Sequence, residues 1–138
     1  MSSRHIFHLS IPVSDLELAK RFYVDVLGAS IGRENPDWSD VLLWGHQITL
    51  HLRPGEVLPP RQQGKRHFGV TLPWPDWELA AQRAERSGVS FLAEPQVFQA
   101  DCPDEHGKFF LSDPSHNVIE IKAYRDVQAA LGLPGTQV

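Results

Sequence analysis

Two histidines and one glutamate stand as polar exceptions in three apolar stretches of this chain. His8 interrupts Ile6-Phe7-His8-Leu9-Ser10-Ile11, His67 opens His67-Phe68-Gly69-Val70-Thr71-Leu72, and Glu120 sits within Val118-Ile119-Glu120-Ile121. Strand side chains alternate between faces with period two. Phe7, Leu9 and Ile11 then share one face, and His8 and Ser10 the other. Phe68, Val70 and Leu72 oppose His67 and Thr71, and Ile119 and Ile121 oppose Glu120. One such residue alone more often just faces water. Three together can act as two imidazoles and a carboxylate on one side of a divalent metal, which leaves other positions open for water, oxygen or substrate.

Such residues need elements to hold them, and an internal repeat supplies two sets. Asp15-Leu16-Glu17-Leu18-Ala19 running to Leu27-Gly28 reads like Asp76-Trp77-Glu78-Leu79-Ala80 running to Ser87-Gly88, an offset of about 60 residues. Each copy follows a strand pattern and continues as a helix. Ala19, Phe22, Tyr23, Val26 and Leu27 mark one helical face, and Trp77, Ala80, Ala81 and Ala84 mark another. The first helix has Ser14 with Glu17 at capping-box spacing, with Asp15 as the alternative cap. The second has Asp76 as its cap, and Gly28 and Gly88 are the stops. Strands are expected around Ser30-Ile31, Val41 to Trp44, Gln47 to Leu52, Ser90-Phe91, Lys108 to Leu111 and Asn117 to Tyr124. Gly45-His46 is the expected hairpin turn, and Asp113-Pro114-Ser115-His116 the turn before the last strand. The order is βαβββ, twice. The fold class is α+β, a single domain over 1–138, with module one at about 5–53, a Pro/Gly/Gln-rich linker at 54–65 and module two at about 66–124. The tail at 125–138 holds a short helical stretch, then Pro134-Gly135, and is expected to fray.

The chain has 138 residues, 41% of them hydrophobic and 22% charged, as expected for one globular domain. A net charge of −4 with a pI near 5.9 argues against nucleic acid or an anionic membrane surface as partner. The start, MSSRHIFHLS, lacks the apolar run of a signal peptide, and no segment has the length of a membrane span. The lone cysteine, Cys102, leaves no internal disulfide, in keeping with a reducing compartment. The cytoplasm is the expected location. Cys102, His5 and His46 carry no assigned role. Trp38, Trp44, Trp74 and Trp77 serve packing unless they line a pocket or interface. His106 falls in a polar loop, Asp101 to Gly107, that can overhang a site or carry no chemistry.

The segments FHLSIPVSDLELAKRFYVDVLG, HFGVTL and FFLSDPSHNVIEIKAYRD resemble the vicinal oxygen chelate superfamily, over about residues 5 to 126. That group includes glyoxalase I, fosfomycin-resistance thiol transferases, bleomycin-resistance proteins and extradiol dioxygenases. The chain most resembles its small predicted extradiol-type subgroup. The resemblance implies paired βαβββ modules forming a cup around a divalent metal, with ligands at His8, His67 and Glu120. It also places the glyoxalases' further ligand position on His51, which alternates with Ile48, Leu50 and Leu52. His51 is then either a direct ligand or an acid–base histidine beside the metal. Tyr124, four residues after Glu120, shares its strand face. It either donates a hydrogen bond to a metal-bound oxygen or packs at the rim. Arg53 can hold a substrate carboxylate, or be solvated. Two departures from the family stand out: His116 replaces the usual glycine of the final turn, and typical extradiol enzymes are about twice as long.

The resemblance implies a metal-dependent enzyme that chelates vicinal oxygens of a small organic substrate. Ring cleavage of a catechol with oxygen would use Fe(II). An isomerase, lyase or thiol transferase would use Zn, Ni or Mn. Metal-free sequestration of a small molecule is the non-enzymatic alternative. Relatives of this layout commonly form homodimers, in some of which modules pair between subunits, so a homodimer is expected.

Overall fold

The computed structural model describes residues 4–133, and the expected Pro134-Gly135 break lies outside them. In chain order the elements are β1 (His8–Val13), α1 (Leu16–Arg21), β2 (Ser30–Asn35), β3 (Trp38–Leu43), β4 (His46–Leu52), α2 (Pro60–Gln63), β5 (Phe68–Thr71), α3 (Trp74–Ser87), β6 (Ala93–Phe98), β7 (His106–Ser112), β8 (Val118–Tyr124) and α4 (Val127–Leu131). They form two four-stranded mixed sheets, ordered β1-β4-β3-β2 and β5-β8-β7-β6. In each sheet the first and last strands of a βαβββ set pair in parallel. The fold is α+β, as the repeat implied.

The chain divides into two compact units. Among the described residues, one runs to Arg66 and takes in Ser112–Asn117; the other comprises His67–Leu111 and 118–133. In the first unit Ile11, Val13, Val41, Leu43, Ile48 and Leu50 form the core face of the sheet. Ala19, Phe22, Tyr23 and Val26 are buried with them on the helical segment. That segment ends in a π turn over Phe22–Val26, and Gly28 stops it at φ 79°. Asp15 is the cap, accepting from the Leu18 N–H at 3.0 Å. Ser14 is not, because its N–H donates to Ser115 Oγ at 2.9 Å instead.

In the second unit Phe109, Leu111, Ile119, Ile121 and Ala123 face Trp74, Trp77, Ala81 and Ala84 of the core. The Trp77 indole donates to the Ile121 carbonyl at 3.0 Å, so Trp74 and Trp77 belong to packing. Gly107 is where the Trp77 ring closes on β7: a Cβ there would lie 2.6 Å from it. Helix α3 begins at Trp74, with Pro73 in the cap position and Pro75 in its first turn. That start precedes Asp76, which therefore sits inside the helix rather than capping it. Gly88 ends α3 in the left-handed conformation.

Two further boundaries differ from the expectation. The β3–β4 hairpin turns on Trp44 and Gly45, both at positive φ (53° and 78°), as a two-residue turn of that hand requires. His46 is therefore the first residue of β4, and its Nδ1 accepts from the Phe7 N–H at 2.9 Å. Strand β6 begins at Ala93, beyond Ser90-Phe91, because Phe91 is spent on an edge contact with Phe109 at 5.6 Å.

Candidate functional site

Alternation and register place the candidate residues on each sheet. In the first unit the pairs are His8 opposite Gln47, Ser10 opposite Thr49 and Pro12 opposite His51. All six lie on the face away from Ile11, Val13, Ile48 and Leu50. Phe7, expected on the core face, precedes β1 and is exposed. His8 is exposed, and its Nε2 lies 3.2 Å from Ser10 Oγ. His51 is half-buried and lines a pocket of about 240 Å³ with Ser10, Ile11, Pro12, Arg53 and Glu56. Arg53 pairs with Glu56 at 3.1 Å, with both side chains largely exposed.

The same face holds a residue that sequence reasoning passed over. Asp40 is 1% exposed and gathers three donors: Thr49 Oγ1 at 2.6 Å, Gln47 Nε2 at 3.2 Å and Arg33 Nε at 3.1 Å. These donors satisfy oxygens that would be costly to bury without hydrogen-bond partners. The effect of Asp40 is to fix Thr49 and Gln47 on the strand beside His8 and Ser10. The sequence carries no clear signal for it, because Trp38, Asp40 and Leu42 fall on one face and Ser39, Val41 and Leu43 on the other, so neither face is uniformly polar or apolar.

In the second unit His67 stands one residue before β5, and its Nε2 lies 3.5 Å from Glu120 Oε1. The Glu120 side chain is 13% exposed and has Lys122 Nζ 3.8 Å away. The His67 ring meets Phe110 edge-on at 5.8 Å. Gly69 pairs with Glu120 across β5 and β8, and a Cβ at Gly69 would collide with the Glu120 backbone. Only glycine lets β5 approach β8 this closely at the glutamate.

Tyr124 closes β8 and stacks on His106 at 5.3 Å, which in turn stacks on Phe98 at 5.4 Å. His106 is the first residue of β7 rather than part of a free loop. The 2.8 Å contact of its Nδ1 with the Asp104 carbonyl makes Nδ1 the donor, because a carbonyl only accepts.

The two sheets have the same strand order, so positions can be matched by register. His67 precedes Phe68, which pairs with Ile119, so His67 falls opposite Val118 as His8 falls opposite Gln47. Glu120, two residues further along β8, then corresponds to Thr49, and Lys122 corresponds to His51. Thus His51 shares the face of His8 but stands about 13 Å further along the strand direction, four residues at about 3.3 Å each.

The turn Asp113–His116 lies in the first unit. Asp113 Oδ1 accepts from the N–H groups of Ser115 and Asn117, and Oδ2 accepts from the Tyr23 hydroxyl at 2.7 Å. Complete burial and the adjacent Asp113 carboxylate raise the Tyr23 pKa well above its ordinary value. His116 takes φ 70° in that turn, the conformation that the absent glycine would adopt freely. Among the described residues no three His, Cys, Asp or Glu side chains form a cluster able to hold an ion. The tightest candidate pair is His67 with Glu120, and His8 belongs to the other unit. No helix among the described residues is long and apolar enough to cross a membrane.

Comparison with known proteins adds four findings. A family model described as Glyoxalase/Bleomycin resistance protein/Dioxygenase superfamily matches residues 5–121. Catechol-2,3-dioxygenase of Bacillus subtilis (strain 168) is 31% identical over 106 residues, 71% of this chain but 37% of that protein, so the chain spans little more than a third of that relative's length. Glutathione transferase FosA of Serratia marcescens is 25% identical over 118 residues, 83% of this chain and 77% of that protein. Among solved structures, a glyoxalase/bleomycin resistance protein/dioxygenase from Alicyclobacillus acidocaldarius superposes with a TM-score of 0.82 at 32% identity, covering 91% of this chain and 95% of that one.

Proposed function

The chain belongs to the glyoxalase/bleomycin resistance protein/dioxygenase superfamily, and on that premise we propose that it is a metal-dependent enzyme that grips two adjacent oxygens of a small organic substrate. The observation that carries this reading is the 3.5 Å separation of His67 Nε2 and Glu120 Oε1. Two ligands about 2.1 Å from one ion, at angles between a right angle and a tetrahedral one, stand about 3.0–3.4 Å apart. At 3.5 Å the pair stands just beyond that span, close enough for two donors aimed at a shared ion. His8 is the proposed third ligand. Its Nε2 would give up the Ser10 hydroxyl, an exposed contact that is easily exchanged.

A divalent ion there, Fe(II), Zn, Ni or Mn, would act as a Lewis acid toward the substrate oxygens. Fe(II) and oxygen-dependent cleavage of a catechol ring is the reading we place first, supported by the 31% identity to a catechol dioxygenase. Thiol transfer or isomerisation at Zn, Ni or Mn is the second, supported by the likeness to a glutathione transferase.

His51 is proposed to move a proton at its ring nitrogen rather than to ligate, because its register falls beyond the position that corresponds to Glu120. Its pocket, with Ser10 and Arg53, is proposed to take part of the substrate. Tyr124 stands about 13 Å of strand beyond Glu120 by the same rise per residue. Its hydroxyl is proposed to meet the substrate's far end, with its ring held by His106. The protein is proposed to act as a homodimer in the cytoplasm, and a light-scattering mass near 15.5 kDa would refute the dimer.

The deciding experiment is metal analysis of anaerobically purified protein, followed by oxygen uptake with a panel of catechols. Stoichiometric iron with uptake is the expected result. Zinc or nickel without uptake would move the assignment to the second reading. Protein that binds none of these metals when they are supplied would leave a non-enzymatic ligand binder.

A further inference from the structure

We infer that Lys108 and Lys122 form a subsite for an anionic group of the substrate, a carboxylate, on the strand face that carries Glu120. The inference rests on the proposed function in taking that face as the substrate side. Two backbone hydrogen bonds fix the register of the β7–β8 hairpin: the Asp113 N–H to the Asn117 carbonyl at 2.9 Å, and the Arg125 N–H to the Glu105 carbonyl at 3.0 Å. Counting inward from either end sets Phe110 opposite Glu120, Lys108 opposite Lys122 and His106 opposite Tyr124. The stack of His106 on Tyr124 agrees with that count.

Both hydrogen bonds belong to odd-numbered pairs, so Lys108 and Lys122 form a non-hydrogen-bonded pair, whose side chains approach most closely, with Cα atoms about 4.5 Å apart. Like charges placed directly opposite one another oppose sheet formation. Nothing in the core requires either lysine, since their neighbours Gly107, Phe109, Ile121 and Ala123 take the buried side. Both ammonium groups are nonetheless held. Lys108 Nζ lies 4.9 Å from the centre of the Phe98 ring, and Lys122 Nζ lies 5.8 Å from that of Tyr124 and 3.8 Å from Glu120 Oε1. Glu120, already beside His67, is the carboxylate paired with Lys122, and among the described ion pairs Lys108 has none. An oxyanion between the two ammoniums would complete the charge balance. Its place, one alternation along β8 from Glu120, suits a substrate whose chelating oxygens and carboxylate are separated by about 7 Å, two residues of strand.

The test is binding of benzoate to the metal-free full chain, followed by amide chemical shifts at low salt, with uncharged benzamide as control. Benzoate should shift the β7 and β8 amides saturably, and benzamide should not. Lys108→Met should weaken benzoate at least tenfold, and Lys108→Arg should retain it. Equal binding of benzamide, or unchanged benzoate affinity in Lys108→Met, would overturn the subsite. The metal reading is judged separately by metal content, since benzoate binding without metal supports the subsite even if His67 and Glu120 hold no ion. If the site takes a phosphate ester rather than a carboxylate, inorganic phosphate will displace benzoate at lower concentration than acetate does, which would overturn the assignment of a carboxylate.

Discussion

Substituting Gly69 by alanine perturbs the proposed metal site without replacing a ligand. A Cβ built on Gly69 lies 2.7 Å from the Glu120 carbonyl carbon and 3.1 Å from its nitrogen. Unbonded carbon atoms rest at about 3.5–4.0 Å. The Glu120 carbonyl oxygen is nearer still, so the methyl group has to push β5 and β8 apart by more than about 1 Å at the Glu120 backbone. Metal–ligand distances hold to about 0.2 Å, so a shift of that size removes Glu120 from a geometry that His67 shares. The expected result is a fall in Zn(II) affinity of about 10–100-fold or more, with a loss of about 1–3 kcal/mol in stability from overpacking. Competition titration with a chromophoric chelator measures the first, and urea unfolding followed by circular dichroism measures the second. Gly55→Ala is the control. A Cβ there meets nothing within 4 Å, so that variant should match the parent in both assays. Gly69→Ala protein that is folded and binds Zn(II) as tightly as the parent would refute the close-approach argument and the placement of Glu120 at the metal together.

Glu120→Ala should abolish stoichiometric metal while leaving the far-ultraviolet spectrum intact, and full occupancy in that variant would remove Glu120 from the ligand set. His51→Gln should lower turnover by about 10²–10⁴-fold as loss of an acid–base group does, with metal content kept and one limb of the pH–rate profile lost. Loss of metal instead would make His51 a ligand. Tyr23 has a raised pKa in the folded state, so its contribution is complete below the unfolded value of about 10 and erodes as pH rises beyond it. Tyr23→Phe should cost about 1–3 kcal/mol at pH 8 by taking one donor from buried Asp113. The gap in melting temperature from the parent should narrow above pH 10, and a gap independent of pH would contradict the role of the phenol.

Much of the fold was legible because burial in a strand repeats every second residue. Ile119, Ile121 and Ala123 against Glu120, Lys122 and Tyr124 reads directly as two faces, and so does Phe109 with Leu111 against Lys108 with Phe110. Gly88 marked the end of α3 because a left-handed C-cap suits glycine. Face, however, is not position along the face. Parity put His51 and His8 on one side of a sheet. Only the offset of β1 against β4, set by packing between distant segments, shows that Thr49 and not His51 matches Glu120. The strand placement and stacking of His106 were missed for a similar reason. Its stacking partners Phe98 and Tyr124 come from the neighbouring strands β6 and β8, and no local pattern announces them. The hairpin was displaced by one residue because a tryptophan, Trp44, takes a positive φ that sequence rules reserve for smaller residues.

The membership of Asp113 in the first unit bears on how the protein is made. Tyr23 emerges early in synthesis, but the carboxylate that accepts its hydroxyl is added roughly fifty residues after Arg66, the last residue of that unit's main stretch. At about 5–20 residues per second, that is an interval of several seconds in which the nascent first half has a phenol to bury and nothing to accept its hydrogen bond. Leaving a buried donor unmet costs about as much as many single mutations. The first half is thus poorly suited to close early. A released chain that ends before residue 113 should be protease-sensitive, and the released full chain should not. The same dependence forbids dividing the gene at the middle of its repeat, where sequence symmetry alone would suggest cutting.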